Sequence, residues 1–259
     1  MTSARDLVAA SRVLVIAHRG NSREAPENTL PAFESAAALG VDFVELDYLA
    51  AADGVPIVFH DEFLDRTTDA CRRWSAKKIP LAAKTFGQLC ELDAGSWFAP
   101  QFAATRLSSL QQVLEAMVPR ACLMIERKSG DAPTCVGLLR SQGAIDRVTV
   151  QAFDWQFLHQ CHALAPELVL GALGENALDD RRLAEACATG ASIVGWEAAA
   201  LNQAAIAASH ARGLKVWAWT VDDPQEARRL LSAGIDGLIS NVPAVMQQVI
   251  AEVAASGHR

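Results

Sequence analysis

Short apolar runs rich in valine and isoleucine alternate, along most of this chain, with longer alanine-rich stretches of helical periodicity. That alternation constrains the fold more than any other feature. A short apolar run fits a strand covered on both faces, and an amphipathic stretch between two such runs fits a crossover helix, so the pattern reads as repeated βα units on a parallel sheet. Strands are expected near 13–17, 42–47, 121–126, 147–151, 168–172, 191–196, 214–219 and 235–239. Helices are expected near 29–39, 108–117, 131–142, 155–164, 179–188, 203–212, 224–232 and 243–254. Eight strands, each followed by a helix, is the count of an α/β (β/α)8 TIM barrel, and 259 residues suit one such domain over 1–259. An open doubly wound sheet is the competing architecture. Gly40, Gly143, Gly190, Gly213 and Gly234 fall just after helical stretches, where a C-terminal cap favours positive φ, and Pro224 and Pro243 stand where helices begin.

One region breaks the rhythm. After the second strand, "AADGVPIVFHD" turns at Asp53-Gly54 into another apolar run that ends at His60. The next clear helix is far beyond the reach of an ordinary βα loop. The intervening residues, about 62–107, include Trp74, Phe86, Trp97 and Phe102, which points to a small ordered subdomain inserted after the second barrel strand.

Composition narrows the partners. A formal net charge of −7 disfavours nucleic acid, although a few cations gathered in a pocket still suffice for a phosphorylated small molecule. The six cysteines form no CxxC pair and several lie in apolar stretches, as expected of reduced thiols in the cytoplasm. Arg12 interrupts the only apolar run near the N-terminus, and no run has the length of a membrane span, so neither a secretory leader nor a stable membrane anchor is expected. The pattern leaves monomer and homodimer both open.

In a (β/α)8 barrel chemistry gathers at the C-terminal ends of the strands. Those ends carry His18 and Arg19, Glu45 and Asp47, His60 and Asp61 after the hairpin, Glu126 and Lys128, Gln151, Trp196 and Glu197, Trp219, and Asn241. Glu45 and Asp47, two apart on a strand, point the same way. Carboxylates so placed repel unless a cation or proton lies between them, and Glu126 on the next barrel strand can supply a third. An all-oxygen set favours one hard divalent ion, Mg²⁺ or Ca²⁺, although pairing with Lys128 and Arg127 would also neutralise the acids. His18 and His60 flank this group as a candidate acid and base; His159, His162, His210 and His258 fall in helical stretches or the tail and read as surface residues. Arg19 and Lys128 add positive charge suited to a phosphate. Gly20 lets the backbone turn sharply there. Trp217 and Trp219 share one strand face, the first as interior packing and the second as a candidate pocket wall.

The segments "AHRGNSREAPENTLPAFESAAALGVDFVELD" and "DGVPIVFHDEFLDRTT", with "MIERK", "VTVQAFDWQFLHQCHALAPELVLGAL" and "VWAWTVDDPQEARRLLSAGIDGLISNVP", resemble the glycerophosphodiester phosphodiesterase family over roughly residues 13–245. The resemblance implies a (β/α)8 barrel with an insert after the second strand. It also implies metal-dependent hydrolysis of diesters such as glycerophosphocholine and glycerophosphoethanolamine to glycerol 3-phosphate and an alcohol. The family's metal-binding acids fall on Glu45, Asp47 and Glu126, its catalytic histidines on His18 and His60, and its phosphate-contacting cations on Arg19 and Lys128. Glu27 and Asn28 of "PENT" match residues that shape the site beside the metal. The chain departs from the family pattern at Arg127, at Ala152, where a serine is usual, and at Asn241, where an acid is common. Two other activities compete with this reading: a lysophospholipase D-like or other phosphodiester-cleaving barrel, which wants a lipid-docking surface the sequence lacks, and a non-catalytic barrel that holds a phosphorylated ligand, which has no use for both histidines.

Overall fold

The computed structural model describes residues 2–256. His258 therefore lies outside the described residues. In chain order the elements are α1 (Ala4–Ala9), β1 (Leu14–Ala17), α2 (Leu30–Ala38), β2 (Phe43–Ala50), β3 (Pro56–Val58), α3 (Ala70–Trp74), α4 (Phe86–Leu89), α5 (Leu110–Met117), β4 (Cys122–Arg127), α6 (Ala132–Ser141), β5 (Val148–Ala152), α7 (Trp155–Leu164), β6 (Val169–Gly174), α8 (Asp180–Ala188), β7 (Ile193–Glu197), α9 (Gln203–His210), β8 (Lys215–Trp219), α10 (Pro224–Ala233), β9 (Gly237–Ser240) and α11 (Pro243–Ser256). Strand order is β1-β9-β8-β7-β6-β5-β4-β2, and a β1–β2 pairing closes the ring. All these pairings are parallel, whereas β3 is antiparallel to β2 on the hairpin. The result is a (β/α)8 barrel.

Strand parity separates two apolar layers. Val44, Leu46, Leu123, Ile125, Val148, Val150, Val194 and Val216 face outward and pack with the helices. Leu14, Ile16, Phe43, Met124, Ile193, Trp217 and Ile239 share a second cluster inside the ring. Trp217 lies against Phe43 with ring centroids 5.3 Å apart, and Gly237 makes room for it: a Cβ there would meet Trp217 Cδ1 at 2.7 Å. A slip of one residue in any strand would exchange the two layers, so the register is strongly specified.

The N-terminal helix α1, at six residues, is too short to leave a helical pattern in the sequence. It turns Ala4 and Val8 into the interior cluster and so closes the end of the barrel opposite the strand C-termini. At that other end the βα loops finish on helix caps: Asp131, Asp154, Asp179, Asn202 and Asp223 each accept a backbone N–H from the first turn of the helix that follows. Such a cap contributes about 1 kcal/mol and fixes where each loop ends.

The residues between β3 and α5 gather around their own apolar centre. It is mainly aliphatic, made of Leu64, Ile79, Leu81, Leu89, Leu92 and Leu107 with Phe59 beside them. The aromatic residues that marked this region lie at its margin, with Trp97 40% exposed and Lys84 stacked over Trp74.

Candidate active site

The acids come together through parity and register. Phe43, Glu45 and Asp47 alternate inward on β2, and Asp47 is the lateral neighbour of Glu126 on β4. The carboxylates of Glu45, Asp47 and Glu126 offer oxygens within 4.8 Å of one another, and all three residues are buried.

Two tight turns hold this cluster. Arg19 and Gly20 are consecutive left-handed residues, at φ 56° and 82°, which turns the chain sharply at the end of β1. The bend aims the Arg19 N–H at Glu45 Oε2, 2.7 Å away. Only glycine fits the second position, since a Cβ there would sit 2.6 Å from the Ala32 carbonyl carbon. Asn28, also left-handed at φ 56°, pairs with Asp47 twice: its Nδ2 donates to Asp47 Oδ2 (2.9 Å) and its Oδ1 accepts from the Asp47 N–H (3.1 Å). Glu27 turns away from the acids and accepts from Arg19 Nη1 at 2.9 Å. Lys128 Nζ bonds Glu126 Oε1 and stands 3.3 Å from Asp47 Oδ1.

The two histidines have different partners. His18 Nδ1 meets Asn241 Oδ1 at 2.8 Å, and the Asn241 amide is oriented by Asp222, which accepts from its Nδ2 (2.6 Å) and its backbone N–H (2.8 Å). His60 Nδ1 instead meets the Asp61 carboxylate at 2.6 Å. His18, Arg19, Glu45, His60, Glu126, Lys128, Gln151 and Trp219 line one pocket with Phe153, Leu173, Thr220 and Ile239. Trp219 closes one wall, its Nε1 tied to the Gly195 carbonyl (3.1 Å) and its ring edge-on to Phe153. Trp196 is not at this rim. Its parity sends it outward, where it is fully buried beside Trp155 and donates to the Asn176 carbonyl. Arg127 also points away, to Asp154, the Gly130 carbonyl and the Phe157 ring, so it does not compete for the acids. His159, His162 and His210 are on the surface as expected. The strand-end pattern does not mark Arg66 or Phe153, the first because it lies between β3 and α3, the second because it follows its strand's end and is half exposed.

Charge in the pocket is unbalanced. The three acids Glu45, Asp47 and Glu126 outnumber the two cations beside them, Arg19 and Lys128. Burial, and then the charges of Asp47 and Glu126, push the Glu45 carboxyl well above the usual carboxylate range. Burial and Asp47 likewise lift Glu126 to about 7. Burial acts on Asp47 too, but Lys128 and Arg19 outweigh it and hold that group low. His18 is driven down to about 4, first by burial and then by Arg19. Glu45 Oε1 is buried with no hydrogen-bond partner among the described residues, and Asp47 Oδ1, also buried, has no hydrogen bond and only the Lys128 ammonium nearby at 3.3 Å. Buried carboxylate oxygens left unpaired are costly. An oxygen-only donor set with unpaired atoms and surplus negative charge fits a hard divalent cation.

The family model for the glycerophosphoryl diester phosphodiesterase family matches residues 18–245. The chain belongs to the glycerophosphodiester phosphodiesterase family. A glycerophosphodiester phosphodiesterase of Bacillus subtilis is 32% identical over 94% of this chain and 88% of its own length. One from Caldanaerobacter subterraneus is 30% identical over 92% and 98%. Among solved structures, an Oleispira antarctica phosphodiesterase in complex with the product sn-glycerol-3-phosphate superposes with a TM-score of 0.86 at 26% identity, covering 94% of this chain and 99% of that one. A glycerophosphodiester phosphodiesterase from Agrobacterium tumefaciens gives 0.76 at 29% identity, covering 90% and 98%. The family is one of phosphodiester hydrolases, and this chain is an enzyme of that class. No helix among the described residues is long and apolar enough to cross a membrane.

Proposed function

We propose that the protein hydrolyses glycerophosphodiesters, such as glycerophosphocholine and glycerophosphoethanolamine, to glycerol 3-phosphate and an alcohol. Glu45, Asp47 and Glu126 would hold one Mg²⁺ or Ca²⁺, which when bound neutralises phosphoryl charge. The observation that carries this reading is the pairing of that unsaturated acid cluster with two histidines whose partners differ in charge.

Arg19 and Lys128 bind the phosphodiester oxygens and stabilise charge that grows on them in the transition state. Asn241 offers His18 only a carbonyl oxygen, because its amide nitrogen is engaged by Asp222. His18 therefore carries its proton on Nδ1 and keeps a lone pair on Nε2. Burial keeps the ring neutral, so Nε2 is the base that takes the proton of the attacking hydroxyl. His60 donates Nδ1–H to a carboxylate, which compensates the charge of a ring protonated on both nitrogens. Its Nε2 proton goes to the oxygen of the departing alcohol. The attacking hydroxyl is the glycerol 2-hydroxyl, giving a cyclic phosphate that water then opens, or it is water itself; a ³¹P NMR time course separates the two routes. Trp219 and Phe153, packed edge-on, wall one part of the pocket.

The test is hydrolysis by purified protein of glycerophosphocholine and of lysophosphatidylcholine, each with and without EDTA. Glycerol 3-phosphate released from the first and abolished by chelation supports the reading. Cleavage of the lysophospholipid alone would move the activity to the lipid-cleaving barrels. Phosphate binding without any hydrolysis would leave a binding module.

A further inference from the structure

Arg66 lies on the inserted subdomain, outside every barrel strand, yet its guanidinium connects the two carboxylates that hold His60 and Arg19, both of which line the pocket. Its Nε donates to Asp61 Oδ2 (2.6 Å) and its Nη2 to Asp61 Oδ1 (3.0 Å). The same Nη2 reaches Glu27 Oε1 and Nη1 reaches Glu27 Oε2, both at 2.7 Å. Each carboxylate has a second obligation. Asp61 Oδ1 takes His60 Nδ1, and Glu27 Oε1 takes Arg19 Nη1. One planar fork thus joins His60 to Arg19, two residues that line the same pocket. Three nitrogens in a fixed plane make such a two-sided bridge, and a lysine ammonium, a point charge, does not.

The insert fixes where that fork stands. Leu64 is fully buried in the insert's core and donates its N–H to the Ile79 carbonyl (3.0 Å). Asp65 accepts the backbone N–H groups of Lys78 and Ile79, and Thr68 Oγ1 donates to the Leu64 carbonyl (2.6 Å). The backbone on both sides of Arg66 is therefore held by contacts that do not involve the pocket. The Arg66 side chain is 47% exposed, and ion pairs so placed add little to stability. What the bridge supplies is geometry.

We propose that Arg66 is a positioning residue of the hydrolysis reaction, locking His60 and Arg19 into one frame so that proton donation and phosphate binding act on the same substrate pose. This rests on the roles given to His60 and Arg19 in the proposed function. It gives the insert a part in the chemistry: through one side chain it sets the separation of two groups it does not itself contain.

The test compares wild type, Arg66→Lys and Arg66→Ala in steady-state hydrolysis of glycerophosphocholine. Thermal unfolding is recorded for each, and the assays are repeated in about 20 mM guanidinium chloride with sodium chloride as the ionic-strength control. Wild-type hydrolysis shows first that the functional reading holds; its absence would count against that reading and not against the bridge. With an active wild type, kcat of Arg66→Ala should fall about 10–100-fold, as when partners that orient site groups are lost. KM should change far less. Added guanidinium should restore at least about fivefold through the exposed gap, while sodium chloride should not. Arg66→Lys, which keeps the charge and the fold, should remain slow. A kcat for Arg66→Ala within about twofold of wild type, wild-type turnover in Arg66→Lys, or a loss in Arg66→Ala that guanidinium leaves untouched would each overturn the proposal.

Discussion

His18 Nδ1 lies 2.8 Å from Asn241 Oδ1, so residues separated by 223 positions in the chain form one hydrogen-bonded pair where β1 and β9 meet. The partner is neutral, and His18, pressed by burial and by Arg19, titrates near 4. Placing a carboxylate there, Asn241→Asp, favours the protonated ring. The acid limb of kcat/KM should then move up by about one pH unit or more, with activity at pH 8 less affected than at pH 6. A pH–rate profile from 4.5 to 9 measures this, and an unmoved limb would count against His18 as the base. His18→Ala and His60→Ala should each lose at least about 10²-fold in kcat.

Metal binding should release protons. In the metal-free protein Glu45 lies above its usual range and Glu126 near 7, so the fold holds protons that the unfolded chain gives up near 4.5. A raised carboxyl makes the native state bind more protons than the unfolded one, and stability from this source falls as pH rises from about 4.5 to 7. Asp47, held low, acts only at more acidic pH. A cation displaces the same protons, so affinity rises with pH. The thermal midpoint should therefore gain more from Mg²⁺ or Ca²⁺, relative to EDTA, at pH 8 than at pH 5.5. Equal gains at both would contradict the acid cluster as the site.

Asn28→Ala removes both hydrogen bonds that hold Asp47 and strands the buried Asp47 N–H. The unpaired group should cost about 1–3 kcal/mol. Metal affinity should fall about 10–100-fold, read by calorimetric titration of the EDTA-stripped variant.

Gly20→Ala tests the turn. At φ 82° with its Cβ 2.6 Å from the Ala32 backbone, the substitution carries both strain and a clash. Destabilisation of about 1–3 kcal/mol is expected in urea titration. Because the neighbouring Arg19 N–H is what holds Glu45, kcat should fall as well, even at temperatures where the variant stays folded.

Local patterning determined much of this protein. The alternation of apolar runs and amphipathic stretches specifies parallel strands with helices between them, because a short run buried on both faces has few other places to go. The residues at the strand ends followed, since period-two geometry puts Glu45 beside Asp47 on one face without knowledge of anything distant. Two short motifs carried the family and with it Glu27 and Asn28. Only the tertiary structure decided which way the remaining groups turn. Arg127 and Trp196 stand at strand ends as Lys128 and Glu197 do, yet parity sends them outward. α1 became the plug of the barrel because Ala4 and Val8 join one apolar cluster with residues of β1, β2, β4, β6, β7, β8 and β9. Arg66 reaches Asp61 and Glu27 because the apolar cluster around Leu64 holds its backbone there. The partner of His18 belongs to the same class: Asn241 reaches His18 only when β9 closes on β1, and which groups meet across a closed ring is set by long-range register, which no local stretch of sequence contains.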